Sequence, residues 1–351
     1  MHDSLTGPGS SHRLISAARD LAPGIALSVA VGLAAASLEP LVRSILPLPV
    51  MVIALAIGVG LNGLLSRGTF EAGIAWCVKR LLRVAIALLG LRIAFGDIID
   101  LGLATGTLIV AAMSLTLVAG VWLARVLDLN TGYGALAGAA TAVCGASATL
   151  ATATVVPGYP QKSADVAFTV VAANTVSTLV MLAYPPLCVA LGLDPRTTGV
   201  VLGGAIHDMA QVVGAGYGVS EPVGNSAVIV KLFRVFLLLP VVLAIGWWFT
   251  RKGADHDRAK VPLPVFALVF LGLSVVNSVV PAVPALAAIY APLKDLLVTA
   301  SNWGLLVAIA ALGLGTSPAA ILRIGWRHIL LFIGTTAVIL VVVGAGALVL
   351  A

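Results

Sequence analysis

GLATGTLIVAAMSLTLVAGVWLARV, Gly102 to Val126, carries no charge before Arg125. At about 1.5 Å per residue, a helix of this length covers the roughly 30 Å hydrocarbon core of a bilayer, so the run reads as a membrane span. Similar runs recur from Leu21 to Leu350, each broken by a short stretch carrying Pro, Gly, Arg, Lys or Asp. The 351-residue chain is 60% hydrophobic and 10% charged, with a mean hydropathy of +1.12. Globular chains are about half apolar and a quarter charged, and so few charges cannot cover a soluble surface. The pattern predicts an all-α polytopic membrane protein.

The spans fall at 22–39, 46–65, 80–96, 100–126, 133–156, 164–190, 196–219, 227–249, 262–281, 297–315 and 327–350, about eleven transmembrane helices. Residues 21–351 then form a single transmembrane domain. Residues 1–20 lack the apolar core of a secretory signal and read as a polar tail. With that tail inside, one set of loops holds Arg13, Arg19, Arg67, Lys79, Arg80, Arg125, Arg196, Arg251, Lys252, Arg258, Lys260, Arg323 and Arg327. The other holds chiefly Arg43, Lys162 and Lys294. The positive-inside rule then predicts a cytoplasmic N-terminus and an outside C-terminus. The net charge of +6 belongs to these loops, none long enough to build a nucleic-acid surface. Trp247 and Trp248 before Arg251 fit an interfacial aromatic belt.

The chain also resembles itself. VAIALLGLRIAFGDIIDLG at Val84–Gly102 aligns without gaps to VAIAALGLGTSPAAILRIG at Val307–Gly325, sharing VAIA, LGL and the final glycine. On this topology the two copies run in opposite directions. That is the signature of inverted-repeat secondary transporters, whose substrate lies near the midplane; the alternative is two unrelated Leu/Ala/Gly helices.

Two segments depart from plain apolar scaffold. In GALAGAATAVCGASATLATATVVPG, Gly134–Gly158, small residues and Thr replace Leu and Ile. A break around Cys144, Gly145, Ala146 and Ser147 would aim a half-helix N-terminus, partly positive, into the membrane interior, where it can bind an anion. The same composition also suits a close helix–helix interface. In GGAIHDMAQVVGAG, Gly203–Gly216, ionisable residues sit inside an apolar span. A carboxylate at the bilayer centre costs about 2.5–3.5 kcal/mol, so Asp208 should face a polar cavity or a partner. His207 and Gln211, four apart, are expected on one helix face, with Asp208 about 100° away. His207 titrates near neutrality in the unperturbed state and suits proton coupling or substrate ligation; a structural hydrogen-bonding cluster is the alternative. Lys231 and Arg234, three apart, would offer two positive charges to an anion or to Asp208, or snorkel to the outer interface. Asn174 reads as a helix-packing amide, and Asn62, Arg92 and Asp97 as weaker candidates. Cys77, Cys144 and Cys188 have no spacing for a disulfide or a metal. No cofactor is expected.

CGASA, GGAIHDMAQVVGAG and KLFR, with the LLGL helix upstream, are together similar to the YeiH-like family of bacterial membrane proteins, which carry a sulfate-exporter label. The resemblance covers roughly Leu46 to Val343. It implies a cytoplasmic-membrane location and a fold like that of the bile-acid-symporter and sodium/proton-antiporter group, an inverted repeat with broken helices crossing near the midplane. Its motif positions here are Cys144, Gly145, Ala146, Ser147, His207, Asp208, Gln211, Lys231 and Arg234.

The expected function is secondary transport of a small anion, sulfate or a sulfonate being the family's suggestion, with lipid as its surroundings and homo-oligomerisation left open. The chain has no GxxxxGK[ST] loop for ATP. One charge moved through 100 mV is worth about 2.3 kcal/mol, so a dianion leaves a negative-inside cell downhill. Proton coupling at His207 and Asp208 would therefore serve uptake or exchange. Two other classes compete. Gly145, Ala146 and Ser147 resemble a rhomboid-like nucleophile motif with His207 as base, which would make an intramembrane hydrolase. A passive anion channel would bury the same polar residues. The transporter reading leads, and the chain reads as no enzyme.

Overall fold

The computed structural model describes residues 9–43, 49–65, 68–100, 102–251, 265–316 and 325–351, and every regular element among them is helical. Residues 1–8 of the polar tail, the loop charges Arg67, Lys252, Arg258, Lys260 and Arg323, and residues 317–324 of the second similar segment lie outside the described residues. Among the described residues, six helical stretches are long and apolar enough to cross a membrane: Arg19–Val42, Gly102–Val126, Lys162–Ala190, Glu221–Thr250, Leu286–Gly315 and Trp326–Leu350. Val50–Asn62 and Val265–Val279 are shorter apolar helices.

The chain divides into two compact units. The first comprises residues up to Ala85 together with Ala300–Thr316. It contains α1 (Gly9–Arg43), α2 (Val50–Leu65) and α3 (Gly68–Trp76). Glycine lets its helices touch backbone to backbone: a Cβ on Gly24 would collide with the Phe70 carbonyl, and one on Gly58 would sit 2.6 Å from the Ala310 carbonyl. Val31, Ala35, Ile53, Ala54, Leu306, Ala310 and Leu314 form its core. Asn62 donates to the Leu314 carbonyl, a packing role.

The second unit holds the polar segments. It takes in the end of α4 (Leu82–Leu88), α5 (Phe95–Asp100), α6 (Gly102–Val126), α7 (Thr131–Ala142), α8 (Ala146–Ala153), α9 (Lys162–Ala190), α10 (Pro195–Ala205) and α11 (Met209–Val219). After these come α12 (Glu221–Phe236), α13 (Leu238–Thr250), α14 (Val265–Val279), the first half of α15 (Pro284–Gly315), and α16 (Trp326–Leu350). α6 and α16 pack antiparallel, with Leu108 against Gly346 at one end and Leu123 against Gly334 at the other.

The segments expected to cross at 133–156 and 196–219 instead fold back on themselves. α7 begins where α8 ends, since a Cβ on Gly132 would lie 2.8 Å from Val156 Cγ1 and 2.7 Å from Tyr159 Cε1. α10 and α11 flank the same turns of α12: Gly199 abuts Ser226 and Val223, and Gly216 abuts Gly224 and Ala227. Each pair is thus a helical hairpin about half a bilayer deep, its longer arm about 18 Å by helix rise. Caps define the entries. The Asn130 side chain accepts from Gly132 N at 2.7 Å, and Asp194 accepts from Arg196 N at 2.8 Å and Thr197 N at 3.1 Å ahead of Pro195 at the first helical position. Hydrogen bonding, chiefly by the Thr197 side chain, holds the Asp194 carboxyl below the usual carboxylate range.

The hairpins enter from opposite ends of α16. At the base of the first, Tyr133 donates its hydroxyl to the His328 carbonyl at 2.8 Å; the tip of the second meets Thr336, and Gly204 further back packs on Val343. Close approach holds the first hairpin to α6, where a Cβ on Gly134 would lie 2.5 Å from the Gly120 carbonyl and 2.7 Å from Ala124 Cβ. Gly134→Val is therefore expected to destabilise the fold by about 1–3 kcal/mol, read as a lower melting temperature in detergent. Gly60→Val, where a Cβ would meet nothing within 4 Å, should leave that temperature unchanged.

Candidate functional site

The two hairpin tips meet beside the middle of α9. In the first, the helix stops at Ala142, Val143 leaves helical geometry (φ −115°, ψ −87°), and Gly145 turns the chain at φ +61°, ψ −121°. An L side chain is strained there, which is why the tip needs glycine. In the second tip Ile206 and Asp208 are extended (ψ 138° and 150°) before α11 starts at Met209. A Cβ on Gly145 would lie 3.5 Å from Ala173 Cβ, 3.8 Å from Asp208 Cβ and 3.9 Å from the His207 carbonyl.

Each outgoing arm ends in carbonyls without intrahelical partners and a partial negative charge. Lys231 and Arg234, fully buried on α12, meet both ends at once. Lys231 Nζ donates to the carbonyls of Val143 (2.7 Å), Ile206 (3.0 Å) and His207. Arg234 donates to those of Thr141 (2.6 Å), Ala142 (2.9 Å), Gly203 (2.9 Å) and Ile206 (2.9 Å). An ammonium has three protons and Lys231 has three acceptors, so its donors are saturated; Arg234 uses four of five. The two charges expected to face an anion or Asp208 thus hold the crossing together, and neither sits at an interface.

The returning arms start with free N–H groups and a partial positive charge. At the first, Ser147 is exposed and Ala146 half-buried, while Cys144 is packed inward. At the second, half-buried Asp208 stands at the N-cap position of α11 without a side-chain capping bond; its amide donates to Ser177 Oγ at 3.0 Å. Gln211 Nε2 donates to Asn174 Oδ1 (3.3 Å) and Thr178 Oγ1 (3.4 Å), and the buried Gln211 Oε1 meets no donor among the described residues. Gly145, Asp208 and Gln211 are therefore gathered beside the Asn174–Thr178 turn of α9, with Ala146 and Ser147 following Gly145 at the start of α8.

His207 is separated from them. The helix ends at Ala205 and restarts at Met209, so the four-residue spacing of His207 and Gln211 does not put them on one face. The imidazole is fully buried, with Nε2 3.0 Å from Thr336 Oγ1 and its ring edge-on to Phe332 at 5.8 Å. Arg92 pairs with Glu221 at 2.7 Å and stacks over Tyr217, and Asp97 accepts from Ala94 N, both far along the chain from the tips.

Ser177 and Thr178 escaped sequence reading, although three polar residues within one turn of an apolar span, with Asn174, were the available signal. So did the base of the first hairpin, where buried Asp165 accepts from Tyr159 Oη at 2.8 Å and lies 3.1 Å from His328 Nε2. Those residues are distant in sequence, and none is unusual by itself.

Residues 23–332 match the family described as Conserved hypothetical protein 698. The UPF0324 membrane protein TauZ of Paracoccus pantotrophus is 39% identical over 328 residues, 92% of this chain and 94% of its own length. The protein of the same name from Paracoccus denitrificans is 37% identical over the same shares. A UPF0324 membrane protein of Chlorobaculum tepidum is 35% identical over 92% of this chain and 87% of its own length. No solved structure matches the chain.

Proposed function

The chain belongs to the UPF0324 membrane-protein family, in keeping with its resemblance to the YeiH-like proteins, and from that premise we propose that it is a secondary transporter of a small anion. One observation carries this reading. Two re-entrant hairpins enter the second unit from opposite ends, and their tips meet with the helix N-termini of the returning arms beside accessible Ser147 and Asp208. Helix N-termini at membrane depth bind anionic groups, and irregular backbone is tolerated there where it lines a polar site. Sulfate or a sulfonate remains the resemblance's suggestion. In this reading Gly145, Ala146 and Ser147 bind the anion, and Cys144, His207, Lys231 and Arg234 position the tips. Asp208 is the group left to carry a proton.

The inverted repeat takes a permuted form. α4, α6, the first hairpin and α9 correspond to the end of α15, α16, the second hairpin and α12–α13. The first pair shares VAIA and LGL; the last aligns Pro186 with Pro240, Ala190 with Ala244 and Gly192 with Gly246. Two hairpins in place of two spans lower the crossing count by two. The cytoplasmic N-terminus, the outside C-terminus and the opposite directions of the similar segments all survive this change, because parity is preserved. The His207 imidazole packs on α16 against Thr336 and Phe332, and among the described residues no hydrogen bond joins it to Ser147, which favours transport over a Ser147 hydrolase.

Thermal-shift measurements on the purified protein test the assignment. Sulfate or a sulfonate should raise the melting temperature, as a ligand of the folded state must, and Ser147→Ala should abolish the rise. Stabilisation by none of the anions would sink the anion reading. Counterflow in proteoliposomes separates a carrier, which shows it, from a passive channel, which does not.

A further inference from the structure

Side-chain acceptors at the hairpin tips are confined to one arm. The first-turn amides of both returning arms are donors, joined at α8 by the exposed Ser147 hydroxyl. The acceptors belong to α11, where Asp208 and Gln211 occupy the N-cap and third helical positions and so lie side by side. Gln211 is fully buried, its Nε2 is engaged by Asn174 and Thr178, and its Oε1 has no donor among the described residues. Asp208 takes part in no salt bridge among the described residues, because Lys231 directs its three protons to carbonyls. A buried acceptor left without a donor is costly, and a carboxylate at this depth more so. A sulfate dianion or a simple alkanesulfonate has acceptors only. Either could sit at the start of α8, but it would leave Gln211 Oε1 unmet and repel Asp208.

We propose that the transported substrate is a zwitterion, its anionic group at the Gly145–Ser147 turn and its primary ammonium held by the Asp208 carboxylate and Gln211 Oε1. This rests on the transporter reading, since it takes the tips as the substrate site. Lys231 and Arg234 answer the helix C-termini, so among the described residues no cation pairs with Asp208, and an ammonium answers it. The ammonium also brings the donor that Gln211 lacks.

The test compares probes of one shape with and without the amine: 3-aminopropanesulfonate, propanesulfonate and sulfate, with affinities from titration calorimetry on the purified full-length protein. The aminosulfonate should bind at least tenfold more tightly than propanesulfonate. Asp208→Asn should erase that difference, and Gln211→Met should reduce it, while Ser147→Ala weakens both sulfonates alike. Sulfate or propanesulfonate binding as tightly as the aminosulfonate to the wild-type protein overturns the zwitterion and leaves the transporter reading standing. Failure of all three to bind overturns both. The wild-type comparison decides the matter even if a variant fails to fold.

Discussion

Arg234→Met should cost about 3–5 kcal/mol, enough to prevent recovery of folded protein from the membrane, and Lys231→Met should approach it. Methionine matches the length of the stem and removes only the donors. It would strand the carbonyls of Thr141, Ala142 and Gly203, and leave Ile206 with Lys231 alone. Each buried carbonyl left without a donor costs about 1–3 kcal/mol, and the negative ends of two helices would then face each other without a counter-charge. Lys79→Met, on an exposed side chain of the first unit, is the matched control and should fold normally. The measurement is monodisperse yield and melting temperature in detergent. A substrate-binding arginine would behave differently, with Arg234→Met folding as well as the control and losing only ligand affinity. That result would return Arg234 to the substrate site.

The sequence shows the membrane class at once, because nothing else explains so few charges over such regular apolar runs. It also shows where the chain breaks. The small-residue run at Gly134–Gly158 contains the first tip, and the run from Gly203 to Gly216 contains the second. What it hides is the direction taken after each break. A kinked span and a hairpin have the same local composition, two helical arms around a flexible turn, and the choice lies in distant contacts such as Gly132 on Val156 and Gly199 and Gly216 on one stretch of α12. The sequence leaves the depth of Lys231 open for a related reason. Only once α12 is seen to begin at Glu221 does Lys231 fall ten residues, about 15 Å, into the helix, level with both tips. The rule that puts His207 and Gln211 on one face assumes unbroken helix, and the break at Ile206–Asp208 removes the assumption.

Labelling from outside should reach Arg196→Cys and miss Gln161→Cys in intact cells, with Gln161→Cys reacting only after permeabilisation. This is the all-or-none consequence of two hairpins. Gln161 and Arg196 flank α9, whose 29 residues reach about 44 Å, so the two positions lie on opposite faces in either topology. With eleven crossings the fifth expected span, 133–156, carries the chain outward, and Gln161 is outside. With hairpins the chain returns to the cytoplasmic face, α9 runs outward, and Arg196 is outside. The positive-inside rule cannot choose, because the change moves Lys162 in and Arg196 out and leaves the balance of charge as it was. Both positions are exposed, and Cys77, Cys144 and Cys188 are buried, so a membrane-impermeant maleimide reads the engineered thiols. With the proposed cytoplasmic N-terminus, a cysteine at Ala351 is outside in both topologies and reports that the cells present the protein. Gln161→Cys labelled in intact cells, with Arg196→Cys silent, would restore the two crossings and place the hairpin tips on a different geometry altogether.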